Sequence, residues 1–233
     1  MQCHDICDDK QTQNCTSCHM PRSSSSDIMH VSITDHKIGV HSDSKSEKGK
    51  FLGLFAINNS NPTNLSRAKA YLKRYESFEA KSIYLDSAWY YLKKSENNFI
   101  SYIQYFYLKN DSKGLIDFVM LNKMNEAKYT NSDLALAYSR MGEVFGKNNL
   151  NDEAEKYHKK AIEIMSFVID YKIKYGSFLF NKNKINDAEK QFLNALKLNP
   201  SIKEIHANLG LIAILKENYK HAENSLKQAI ALD

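Results

Sequence analysis

From about residue 133 onward, small residues recur in a fixed register within a helical pattern of apolar and polar positions. Gly142, Gly176 and Gly210 are 34 residues apart; Ala154, Ala188 and Ala222 keep that spacing, as do Ala161, Ala195 and Ala229. Phe192 and Leu226 also match, with His158 in the equivalent place one unit earlier, and Pro200 closes the second unit. A glycine inside a helix costs about 1 kcal/mol relative to alanine. Its return once per unit therefore implies that a paired helix comes too close for a side chain, and the alanine columns do the same from the other helix. The pattern predicts helices over 134–147 and 151–165, 168–181 and 185–197, and 202–215 and 219–232.

A 34-residue helix-turn-helix unit carrying these columns resembles the tetratricopeptide repeat (TPR). The resemblance covers residues 133–233, read as three repeats. It implies an array that leaves a concave face lined by the first helix of each unit. By helical spacing, Ser139, Glu143, Asp170, Ile173, Ser177, Phe180, Asn181, Ala207, Leu211 and Ile214 are candidates for that face. A peptide or partner protein in the groove is the functional expectation.

Residues 64–132 are also helical by periodicity but lack the small-residue columns. Ala68, Ala70-Tyr71-Leu72, Tyr75 and Phe78 recur at helical spacing, as do Ile83-Tyr84-Leu85, Ala88-Trp89 and Tyr91-Leu92. Two more helices are predicted near 97–109 and 112–122. The region reads as two degenerate hairpins that cap the array, with its many tyrosines in packing rather than in a binding cage. Residues 42–63 read as a linker. Within it, 51–57 is expected to be a short extended segment packed on a neighbour.

Composition narrows the classes. The chain has 233 residues, 42% of them hydrophobic, with only three Pro and eight Gly. That favours a mainly α fold with long helices. The formal net charge is +5, with lysines spread along helices among Glu and Asp; a nucleic-acid surface would gather positive charge on one face. No apolar run approaches the roughly 18 residues that mark a transmembrane helix. The chain shows no phosphate-binding loop, dinucleotide fingerprint or nucleophile elbow, so the array is not expected to be an enzyme.

The first 41 residues differ in kind. All four cysteines fall within the first 18 residues, and Cys15-Thr16-Ser17-Cys18-His19 has the attachment signature of c-type haem. Two thiols can each add to a haem vinyl group, and the following histidine then falls beneath the ring as an iron ligand. On this reading Cys15, Cys18 and His19 bind haem c, His19 ligates its iron, and His30 and His36 are candidates for the second axial position. Asp35 could hold a ligand histidine in one tautomer. Ser23 to Ser26 reads as a flexible polar tract. Cys3-His4 has the form of the end of a second such motif without its first cysteine, which makes His4 a candidate ligand to a preceding haem and points to N-terminal truncation. No export signal precedes it.

These residues, Asn14 to Pro21 with Asp27 to His30 and Thr34 to Ile38, resemble the last haem site of bacterial multihaem c-type cytochromes that carry a C-terminal TPR array. The resemblance implies a periplasmic or otherwise extracytoplasmic electron-transfer protein with a redox partner protein and six-coordinate iron. Two other readings stay open. Cys3, Cys7, Cys15 and Cys18 could hold a structural zinc ion, making the chain a non-redox scaffold, or the chain could be part of a multihaem reductase. Cys7 fits neither haem motif.

Overall fold

The computed structural model describes residues 22–24, 32–34, 53–56, 61–96 and 98–232. The chain divides into two compact units, 1–53 and 54–233.

In the first unit, β1 (Arg22–Ser24) and β2 (Ser32–Thr34) pair antiparallel, with Ser23 opposite Ile33. Ser23 and Ser24 therefore belong to a ladder rather than to the flexible tract expected of a serine run. Cross-strand pairing outweighs the weak strand preference of the residues themselves.

The second unit is a TPR-like α-solenoid. Its helices are α1 (Asn64–Ser77), α2 (Ser82–Leu92), α3 (Phe99–Leu108), α4 (Ser112–Leu121), α5 (Asn131–Lys147), α6 (Asn151–Ile164), α7 (Ile169–Asn181), α8 (Ile185–Leu196), α9 (Lys203–Leu215) and α10 (Tyr219–Ala231). Consecutive helices pair as hairpins, and each second helix of a hairpin also packs on the first helix of the next. The first helices form an inner row, α1 on α3, α3 on α5 and α5 on α7. A 3₁₀ turn at Glu126–Lys128 lies in the longer connection between α4 and α5. Ahead of α1, Phe55 is 80% exposed, so the apolar 51–57 stretch does not pack at that residue as expected. A lone exposed aromatic is tolerated on a protein surface.

The glycine columns have the predicted cause. A Cβ on Gly142 would lie 2.9 Å from the His158 ring, on Gly176 2.8 Å from Phe192, and on Gly210 2.7 Å from Leu226. The large residue of each second helix thus fills the space that the glycine of its first helix leaves. Ala154, Ala161, Ala188 and Ala195 are fully buried beside these contacts. Each of the last three hairpin turns places one residue in the left-handed region: Asn149 at φ 62°, Asn183 at φ 58° and Glu217 at φ 58°. The following amide returns to the helix five residues back, as in Leu150 N–H to Phe145 O at 3.0 Å and Lys184 N–H to Leu179 O at 2.9 Å, which closes the helix end. Asn110 at φ 57° makes the same turn between α3 and α4.

The aromatic residues of the first two hairpins are largely packing. Trp89 stacks on Tyr105 with centroids 4.8 Å apart, and Tyr102 stacks on Phe118 at 5.0 Å. Tyr84 and Tyr105 are buried, while Tyr90 faces solvent. Arg140 of α5 ties the array together: its guanidinium pairs with Glu76 of α1 and lies over the ring of Tyr107 in α3. Gln104 of α3 donates to the other oxygen of Glu76 at 2.7 Å. Among the described residues, no helix is long and apolar enough to cross a membrane.

Candidate functional site

The inner row of first helices carries a cavity of about 380 Å³ between α5 and α7. Gly142, Gly146, Ile173 and Phe178 give it apolar walls, and Glu143, Lys147, Lys174, Ser177, Asn181 and Lys182 give it polar ones. Glu143, Ile173, Ser177 and Asn181 belong to the expected concave face. Ser139 does not, because it lies on the fully buried side of α5. Phe180 is half-buried and leans on the core rather than standing free. Leu211 and Ile214 of α9, at the repeat positions of Ser177 and Phe180, are exposed at 46% and 41%.

The charges in the cavity are ordered by one another. Glu143 is half-buried; it accepts a hydrogen bond from the Tyr107 hydroxyl at 3.0 Å and pairs with Lys174 at 3.0 Å. Burial opposes its ionisation, but the Lys174 ammonium and the hydrogen bonds from Lys174 and Tyr107 outweigh it, so its carboxyl stays below the usual range. Lys174 loses hydration, yet Glu143 and Asp170, the latter 3.1 Å away, hold it charged above its ordinary value. Glu143 is thereby neutralised from within the protein. Lys147 stands 3.5 Å from Glu143 and is 68% exposed. Lys182 donates to the Asn149 side-chain oxygen at 2.9 Å, a neutral acceptor.

His158 forms part of the cavity floor. It is buried at 1% exposure between Gly142, Tyr175 and Phe178, and its Nδ1 is buried without a hydrogen-bond partner. Burial pushes its pKa down to about 4, so the ring is neutral at pH 7. Sequence reasoning placed His158 only as an odd member of a packing column and did not single out Lys147, Lys174 or Lys182. Their signal is positional: Lys147 and Asn181 share one repeat position, and Lys182 follows directly.

Cys15, Cys18, His19, His30, His36 and His4, together with Cys3 and Cys7, lie outside the described residues. Among the described residues, no group of three or more His, Cys, Asp or Glu side chains is placed to hold a metal ion.

The last hairpin decides the comparison with known proteins. A tetratricopeptide repeat model matches residues 204–233. Protein O-mannosyl-transferase Tmtc2 of Drosophila melanogaster is 33% identical over 72 residues, which is 30% of this chain and 8% of that protein. The chain therefore spans a small part of the curated relative it matches. MamA of Desulfovibrio magneticus RS-1 superposes with a TM-score of 0.58 at 16% identity, covering 71% of this chain and 94% of that one. YrrB, described as a TPR protein with an unusual peptide-binding site, superposes at 0.54 and 18% identity, covering 73% and 84%. At these identities the structural likenesses establish the TPR fold alone.

Proposed function

We propose that this chain is a TPR scaffold that holds a segment of a partner protein in the groove over α5, α7 and α9. The cavity between α5 and α7 carries the reading. It opens on the concave face, combines apolar walls with fixed polar groups, and lies where the repeat architecture leaves a continuous surface. That YrrB, which shares the fold, is described as having a peptide-binding site supports the same reading. The test is to pan a random dodecapeptide display library against the full chain and against Ser177→Arg. The substitution places a long side chain in the cavity from an incompletely buried position. Peptides that enrich on the wild type and not on the variant support groove binding; enrichment that is equal on both, or absent, refutes it.

A second reading applies to the N-terminal segment and rests on the Cys15-Thr16-Ser17-Cys18-His19 sequence. There, Cys15 and Cys18 would hold haem c through their thiols, and His19, with His30 or His36, would supply imidazole to its iron. The haem would supply electron transfer to a redox partner protein outside the cytoplasm, with His4 serving a preceding haem. Expression with an export signal and haem-maturation machinery, followed by a pyridine haemochrome spectrum, tests it. Haem that survives denaturation and disappears in Cys15→Ala/Cys18→Ala supports the assignment. Zinc bound to unmodified thiols would make the chain a non-redox scaffold.

A further inference from the structure

We propose that the groove selects an extended segment bearing an acidic side chain and, three to five residues away, an apolar one. This rests on the groove reading above and adds to it the chemistry of the occupant. Charge complementarity supplies the acidic half. The cavity lining carries Lys147, Lys174 and Lys182 against the single carboxylate of Glu143. Lys174 is committed to Glu143 and Asp170. Lys147 keeps a longer 3.5 Å approach to the same carboxylate, and Lys182 has the neutral Asn149 oxygen as its hydrogen-bond partner. Two ammonium groups are therefore left under-neutralised at the mouth of a partly apolar cavity, with the Ser177 hydroxyl and the Asn181 amide beside them. A carboxylate entering there meets charged donors in surroundings less screened than open solvent.

The next step along the inner row changes character. The repeat positions held by Glu143 and Ser177 are taken in α9 by Leu211, those of Gly146 and Phe180 by Ile214, and those of Lys147 and Asn181 by Leu215. Leu211, Ile214 and Leu215 are exposed at 46%, 41% and 60%. Leu211 and Leu215 replace the polar Ser177 and Asn181 of α7, and Ile214 keeps the apolar character of Phe180; three neighbouring apolar side chains at these positions call for an apolar group on the ligand. Packed helices stand about 8–10 Å apart and an extended chain advances about 3.3 Å per residue. α7 and α9 both pack on α8; taking the step between these successive first helices as about one such spacing, it needs about three residues, and the centre of the α5–α7 cavity lies about half a spacing further, or about five residues.

The peptides recovered by the dodecapeptide library test the proposal separately from the groove reading. Wild-type binders are expected to be enriched in Asp and Glu over Lys and Arg, with Leu, Ile, Val or Phe three to five positions away on one consistent side. The variant Lys147→Glu/Lys182→Glu alters two side chains outside the buried core and is expected to invert the charge preference. A synthetic wild-type binder should then lose about tenfold or more in affinity, while Leu211→Ser/Ile214→Ser should relax the apolar requirement and leave the acidic one. Lys147→Gln/Lys182→Gln, with an unchanged helical spectrum, guards against a folding effect of the glutamates. Binders that Ser177→Arg excludes but that carry no acidic residue, or a charge preference untouched by the reversal, overturn this proposal and leave the groove reading standing. A library with no groove-dependent binders removes both.

Discussion

His158 shows how one residue can serve the repeat pattern and break it. The later units place Phe192 and Leu226 against their glycines, whereas the first places an imidazole. The site accepts it only uncharged, since the folded pKa of about 4 lies below the ordinary 6.5. The unfolded chain therefore binds the extra proton first as pH falls, and stability is lost as pH drops below 6.5 and on through 4. Over the interval from pH 7 to 5 this amounts to about 2 kcal/mol. Urea unfolding of wild type and His158→Phe at the two pH values checks it. The phenylalanine variant, which copies the next unit's solution, is expected to lose about 2 kcal/mol less on acidification. From sequence, the column was legible because a missing Cβ leaves a fixed spacing. The buried, unpaired Nδ1 was not, because burial depends on Tyr175 and Phe178 arriving from the next repeat.

At the scale of elements, helix existence was readable and helix ends were less so. The helix expected over 134–147 begins at Asn131, because Thr130 caps it by accepting from Asp133 N–H at 3.2 Å while donating to the Asp133 carboxylate at 2.9 Å. That threonine-to-aspartate spacing is a visible start signal. The turns repeat more faithfully than the helices they join. Asn110, Asn149 and Asn183 suit a left-handed backbone, but Glu217 adopts the same φ of 58° without the short side chain that tolerates it. Glu217→Gly is expected to stabilise the chain by about 1 kcal/mol, read as a higher urea midpoint at unchanged m-value. The turn at Asn110 also shows that α3 and α4 form a hairpin of the same kind. Sequence reading saw that region only as degenerate because Phe106 and Gly114 meet from the opposite helices: here the glycine is on the second helix. The groove lysines were hidden for another reason. Lysine on a helix usually marks solvated surface, and only the placement of α7 beside α5 turns Lys174 into a half-buried partner of Glu143.

For the whole molecule, solenoids are held by contacts between neighbours, and stability passes along them step by step. The Arg140–Glu76 pair departs from that rule by joining α5 to α1 across α3. Its guanidinium side is 7% exposed and its carboxylate side 32%. Removing the carboxylate leaves a nearly buried cation, so Glu76→Gln is expected to cost about 1–2 kcal/mol. In an Arg140→Met background the same change should cost little, and a double-mutant cycle by urea unfolding measures the difference. The pair, with Gln104 as a third point of attachment, works like a rivet through three plates. Pulled from its N-terminal end, this molecule should not peel away one hairpin at a time. Its front hairpins should hold until that fastening gives, and then release together.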